Sequence, residues 1–163
     1  SVTGVQTCAL PISSDGIEVI EIGVPAEHVT EIDHVMTLPT PHSRLDREWQ
    51  GQRFVHDLAR NGVWVAHRLA GYQARDTGIA AATKGRADVR VVRKGQGEPT
   101  WARHSADILF GFVISGRMVL EGDGKEPFAL TAGDAFVIPP GLATRWADPD
   151  DDLEVLEVSL PAP

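Results

Sequence analysis

The sequence predicts an all-β fold, a sandwich or barrel of many short strands. Short apolar or alternating runs recur through residues 63–163 at roughly 8–12-residue spacing, the rhythm of such folds. The breaks between them carry turn chemistry at Gly95, Gly97, Ser115-Gly116, Asp123-Gly124, Ala132-Gly133 and Pro149-Asp150. The composition, 42% hydrophobic and 23% charged over 163 residues, is that of a globular chain long enough for one domain with a real core.

Taken in order, residues 27–43 contain Pro39 and Pro41 and read as an extended connection. Leu45, Trp49, Val55 and Leu58 stand among charges, with Asn61-Gly62 as a stop, so a short amphipathic helix is predicted over Leu45–Ala59. β signals dominate from there. Val63–Leu69 alternates, and Tyr72–Thr83 is a run rich in small residues that ends in a Lys84-Gly85 turn. Ala87–Val92 alternates again, and Ile108–Ile114 is nearly all apolar, as a strand with two buried faces would be. Met118–Leu120, Phe128–Leu130, Ala135–Ile138 and Leu153–Leu160 complete the set.

The net charge of −8 argues against a polyanionic partner, since nucleic-acid binding and polybasic membrane anchoring both rely on clustered Lys and Arg. No apolar run approaches the roughly 20 residues of a spanning helix. The single cysteine, Cys8, excludes an intrachain disulfide framework and a zinc knuckle. A cytoplasmic protein without nucleic-acid or membrane partners is expected. No nucleophile-elbow, Walker or dinucleotide-binding pattern occurs, and His28, His34, His42, His56 and His67 are scattered without metal-ligand spacing.

The stretch from Trp101 to Trp146 carries the chemistry. His104 is followed by Gly116 at the end of an apolar strand, by Gly133-Asp134 opening a second strand, and by Pro139-Pro140-Gly141. This frame resembles the two motifs of the cupin family, G-x5-H-x-H-x3,4-E-x6-G and G-x5-P-x-G-x2-H-x3-N. The resemblance spans roughly residues 72–163 and implies a cupin-like jelly-roll β-barrel with an N-terminal extended segment. It implies a cavity with ligand positions at Ala102, His104, Leu109 and Thr144. Of these only His104 can hold a metal, and a metal wants three or four protein ligands. No metal and no cofactor are therefore expected, the weak alternative being a divalent transition metal at His104.

His104 has two further readings, a satisfied barrel histidine or a titratable group in a ligand pocket. Trp101 and Trp146 flank the region, and aromatics at a barrel mouth could stack on a ring, although core filling is commoner. An inward arginine such as Arg90 would suit a carboxylate ligand. The expected ligand-binding set is thus His104, Trp101, Leu109, Thr144, Trp146 and Arg90, with no catalytic residue assigned. Three functions stay open: a module binding a small organic molecule in the cavity, a metal-dependent dioxygenase-like enzyme acting on an aromatic or keto acid, and a dimerisation domain. A homodimer is expected through a strand such as Ile108–Ile114.

The N-terminal residues stand apart. Val2–Ile12 resembles the conceptual translation of a short-read sequencing adapter, and Ser13 fits the next codon, so residues 1–13 are expected to be an adapter-derived tail on a metagenomic fragment. Ile17–Ala26 (IEVIEIGVPA) and Leu153–Ala162 (LEVLEVSLPA) share Glu, Val, Glu, Pro and Ala in register. This repeat suggests that residues 14–62 hold the closing strand of a preceding cupin, making the parent a bicupin, followed by a linker and the short helix. A strand over Ile17–Val24 is expected to pair with an exposed edge, either in its own chain or in a partner. Residues 63–163 form the barrel.

Overall fold

The computed structural model describes Gly16, residues 19–23, Asp46 and residues 48–162. Residues 44–163 form one compact unit and residues 1–43 another. Eleven strands lie in the larger unit: β1 (Glu48–Trp49), β2 (Gln52–Arg53), β3 (Trp64–Ala66), β4 (Tyr72–Asp76), β5 (Asp88–Lys94), β6 (Ile108–Ser115), β7 (Arg117–Gly122), β8 (Phe128–Thr131), β9 (Ala135–Ile138), β10 (Thr144–Ala147) and β11 (Glu154–Leu160). A 3-10 turn covers Ala59–Asn61, and among the described residues a single helix, α1, covers Ile79–Ala82. β1 and β2 make a small hairpin. The other strands form a six-stranded sheet in the order β3-β4-β5-β11-β6-β9 and a three-stranded sheet in the order β10-β7-β8. Every pairing is antiparallel. The fold is the expected all-β jelly roll.

The core is built from the inward-facing residues of the large sheet together with Met118 and Trp146 of its partner. Val92, Val113 and Val155 are fully buried at 0% exposure, and they sit on neighbouring strands β5, β6 and β11. Trp146 closes the core from β10, with Tyr72 and Phe136 edge-on to its ring at 5.5 and 5.7 Å. The Tyr72 hydroxyl donates to the Trp146 carbonyl at 2.6 Å, and burial pushes that hydroxyl above the usual tyrosine range. Gly111 makes room for Phe136: the two residues are opposed across β6 and β9, and any side chain at Gly111 would run into the Phe136 ring. The turn from β6 to β7 passes at Gly116 (φ 72°), where a Cβ would meet the Leu153 backbone.

Three expectations need correction. The helix predicted over Leu45–Ala59 is replaced, among the described residues, by the β1–β2 hairpin and the 3-10 turn. Gln50 and Gly51 both adopt positive φ, 50° and 78°, the geometry of a tight hairpin turn, and that interrupts any helix there. The one short helix instead follows β4, in the second half of the run read as Tyr72–Thr83. There Asp76 accepts from the Gly78 N–H at 2.7 Å and turns the chain, and three alanines then propagate a helical turn that the Thr83 hydroxyl closes on Ile79.

The strand expected over Ile17–Val24 is not formed by residues 19–23, which are exposed and belong to no strand or helix; Ile17, Glu18 and Val24 lie outside the described residues. Alternation alone does not make a strand, because the backbone groups need a ladder partner. The tail at residues 1–13 lies outside the described residues. Among the described residues no helix is long and apolar enough to cross a membrane.

Candidate functional site

The inner face of the large sheet changes character along the strands. At one level it presents Val92, Val155 and Val113. One step along, the register aligns Arg90, Glu157 and Gly111, and the next step aligns Asp88, Ser159 and Leu109. Three of these polar residues are buried: Asp88 is 4% exposed, Glu157 6% and Ser159 7%. They line a cavity of about 500 Å³, together with Arg68 from the β3–β4 turn and Arg103, His104, Ser105 and Ala106 from the β5–β6 connection.

Buried charges must be paired to be tolerated. Glu157 meets Arg68 at 2.6 Å and His67 Nε2 at 3.1 Å. The Leu69 N–H lies 3.4 Å from His67 Nδ1, so the ring hydrogen sits on Nε2 and is donated to Glu157. Burial pushes the Glu157 carboxyl up, but the His67 hydrogen bond and the Arg68 charge outweigh it and hold it below the usual carboxylate range. Asp88 and Arg90 form a second pair, with Arg90 Nε 2.7 Å from Asp88 Oδ2.

His104 is held from two sides by the segment after β9. Its Nε2 lies 3.0 Å from the Ile138 carbonyl, and its own carbonyl accepts from the Gly141 N–H at 3.0 Å. Arg103 donates to the Gly141 carbonyl. A carbonyl only accepts, so Nε2 carries the hydrogen, and the neutral ring offers its Nδ1 as an acceptor. That Nδ1 is buried and has no hydrogen-bond partner among the described residues, and the same is true of Asp88 Oδ1; Arg90 Nε is engaged in the ion pair with Asp88 Oδ2.

Of the residues singled out in the sequence, His104, Leu109 and Arg90 meet at this cavity. The other three are placed elsewhere. Thr144 is buried, but it pairs backbone to backbone with Ala102 at 2.9 Å in both directions and is not on the cavity wall. Trp146 is 1% exposed in the core, where Phe136 and Tyr72 surround it. Trp101 is 49% exposed, with the Arg145 guanidinium 5.6 Å from its ring. His104 and Leu109 thus share the wall, and Thr144 is not among the residues lining it. Asp88, Glu157, Ser159 and Arg68 were not found from the sequence.

The metal positions of the resembled motif do not fit a metal ion here. Ala102, Leu109 and Thr144 accompany a single imidazole whose Nε2 is engaged by a carbonyl. Among the described residues no group of three His, Cys, Asp or Glu side chains is arranged to hold an ion.

The barrel has a cupin-like fold. Residues 89–159, from β5 to β11, match the family model described as Cupin domain, and solved structures share the fold. One is KdgF from Halomonas sp., 22% identical over 66% of this chain and 94% of that chain, with a TM-score of 0.55. Another is Pac13 of Streptomyces, described as a unique nucleoside dehydratase, 17% identical over 66% of this chain and 82% of that one, with a TM-score of 0.52. A third is ectoine synthase from P. lautus, 13% identical over 61% of this chain and 70% of that one, with a TM-score of 0.52. At these identities the likeness is one of fold. No curated protein matches the sequence.

Proposed function

We propose that this chain binds a small organic molecule in the cavity walled by Asp88, Arg90, His104, Leu109 and Glu157. One observation carries the reading: Asp88 Oδ1 and His104 Nδ1, both buried and without a hydrogen-bond partner among the described residues, belong to residues of one cavity wall. An unmet buried polar atom costs about 1–3 kcal/mol, so two around one space favour a site whose partners come from outside the chain. A volume of about 500 Å³ falls in the range of small-molecule sites. A cytoplasmic location is part of the same reading.

The test is thermal unfolding of the purified protein against a library of small metabolites. A ligand at 100 times its Kd should add about 2.7 kcal/mol to the unfolding free energy. His104→Ala should abolish that gain and leave the ligand-free melting temperature nearly unchanged. If no compound stabilises the protein, or if the gain survives His104→Ala, the reading fails.

We propose a second copy of the chain as partner on the outer face of the large sheet. Ile108, Ile114 and Val137 are 46%, 42% and 60% exposed there. Phe110 and Phe112 alternate with the inward residues of β6, and Leu156 flanks them from β11. Such a contiguous apolar strip favours burial against a partner. Light scattering on the eluted protein should give twice the chain mass, and Phe110→Glu should give the monomer; a monomeric wild type would refute the pairing.

A further inference from the structure

We infer that the ligand is a non-aromatic molecule carrying adjacent hydroxyl groups, an open-chain polyol or a cyclic sugar; this rests on the cavity being a binding site. Three features of the wall lead there. The groups on offer are mixed in kind: the Asp88 carboxylate Oδ1 and the neutral His104 Nδ1 need donors, whereas the Arg90 guanidinium beside them, its Nε already at Asp88 Oδ2, carries further N–H groups that need an acceptor. A hydroxyl group is both donor and acceptor, so two or three neighbouring hydroxyls satisfy the whole set. The charges on the inner face already cancel in pairs, Glu157 with Arg68 and Asp88 with Arg90, so recognition at these atoms requires no ionised group on the ligand. Among the described residues the wall contains no Phe, Tyr or Trp; its apolar side chains are Ala106 and Leu109. A planar ring could stack there only on the His104 imidazole or a guanidinium, and the Arg68 and Arg90 guanidiniums are already engaged by Glu157 and Asp88. Ser105 and Ser159 add hydroxyls of their own to the same wall.

Isothermal titration calorimetry on the full chain tests the inference. The hydroxylated probes are sorbitol and ribitol as open chains and glucose, arabinose and myo-inositol as rings; benzoate and 2-oxoglutarate are the contrast. At least one hydroxylated probe should bind and neither acid should, and comparison of chains with rings selects between the two forms. Asp88→Asn replaces an acceptor oxygen with a group that also donates, and it should weaken binding about tenfold or more, the size of one lost charge-assisted hydrogen bond. His104→Ala should do the same, and it carries the test alone if Asp88→Asn does not fold. Binding confined to benzoate or 2-oxoglutarate, and weakened by these substitutions, overturns the ligand class and leaves the cavity reading standing. Hydroxylated probes whose affinity is unchanged in both variants overturn the placement of such a ligand here. No binding by any probe also overturns the ligand class, and the library screen then decides on the cavity itself.

Discussion

Glu157 concentrates the electrostatics of the barrel interior in one side chain. It is 6% exposed, so its charge is retained only because Arg68 and His67 reach it. Removing that charge leaves Arg68 facing a low-dielectric interior alone. Glu157→Gln should therefore cost about 3 kcal/mol, the lower end for breaking a buried pair, because the Arg68 side chain is 29% exposed and can turn to water. The pH dependence follows from its depressed pKa. A carboxyl held below its ordinary value contributes stability that is fully present above that value and is lost as pH falls through the folded-state pKa. The wild type should lose stability on acidification below about 4.5, the ordinary glutamate value, and Glu157→Gln should show a flatter profile there. Urea denaturation from pH 7 down to pH 3 measures both effects; equal acid sensitivity in the two proteins would remove Glu157 from the account. The sequence hid this residue. An acid in an alternating strand reads as solvent-facing, yet β11 turns Glu157 and Ser159 to the side of Val155 and puts Leu156 on the other.

Among the elements, those half-buried and bounded by glycine turns were legible, and they make up most of both sheets. The misses have local causes. β10 is a short mixed segment, Thr144–Ala147, that follows Pro139-Pro140-Gly141 without an alternating pattern, and only its pairing with β7 makes it a strand. The β1–β2 hairpin has strands of two residues each, too short for any period to show. For the site, spacing brought His104 and Leu109 to one wall, whereas Asp88, Glu157 and Ser159 meet only through the β5-β11-β6 register, which single-strand patterns do not encode. The β6–β9 pair shows how register fixes packing as well. Phe136 lies over Gly111 and reaches Trp146, so the floor of the aromatic core depends on the missing side chain. Gly111→Ala should cost about 1–3 kcal/mol through overpacking. Adding Phe136→Leu should recover part of the loss, because the two substitutions act on one contact and their effects will not add. Additive losses in a double-mutant cycle by chemical denaturation would show that the ring does not rest on Gly111.

At the scale of the whole molecule, stability should reside in the barrel and owe little to the first forty-odd residues. Among the described residues the largest fully buried side chains, Leu69, Val92, Val113, Met118, Trp146, Leu153 and Val155, all lie between residues 69 and 155, and the strands of both large sheets run from residue 64 to residue 160. Residues 44–163 already form a compact unit. The described residues 19–23 are exposed, and Val19, Ile20 and Ile22 are 77%, 43% and 46% open, so they contribute little apolar burial. If residues 1–13 come from an adapter, they carry no history of selection with this core. A chain beginning at Arg44 should then fold by itself and unfold in a single transition. Its unfolding free energy should match that of the full chain within about 0.5 kcal/mol, the size of an ordinary surface change. Scanning calorimetry on the two proteins side by side decides the matter. A loss of several kcal/mol in the shortened chain would mean that the residues before Arg44 contribute to the stability of the folded barrel.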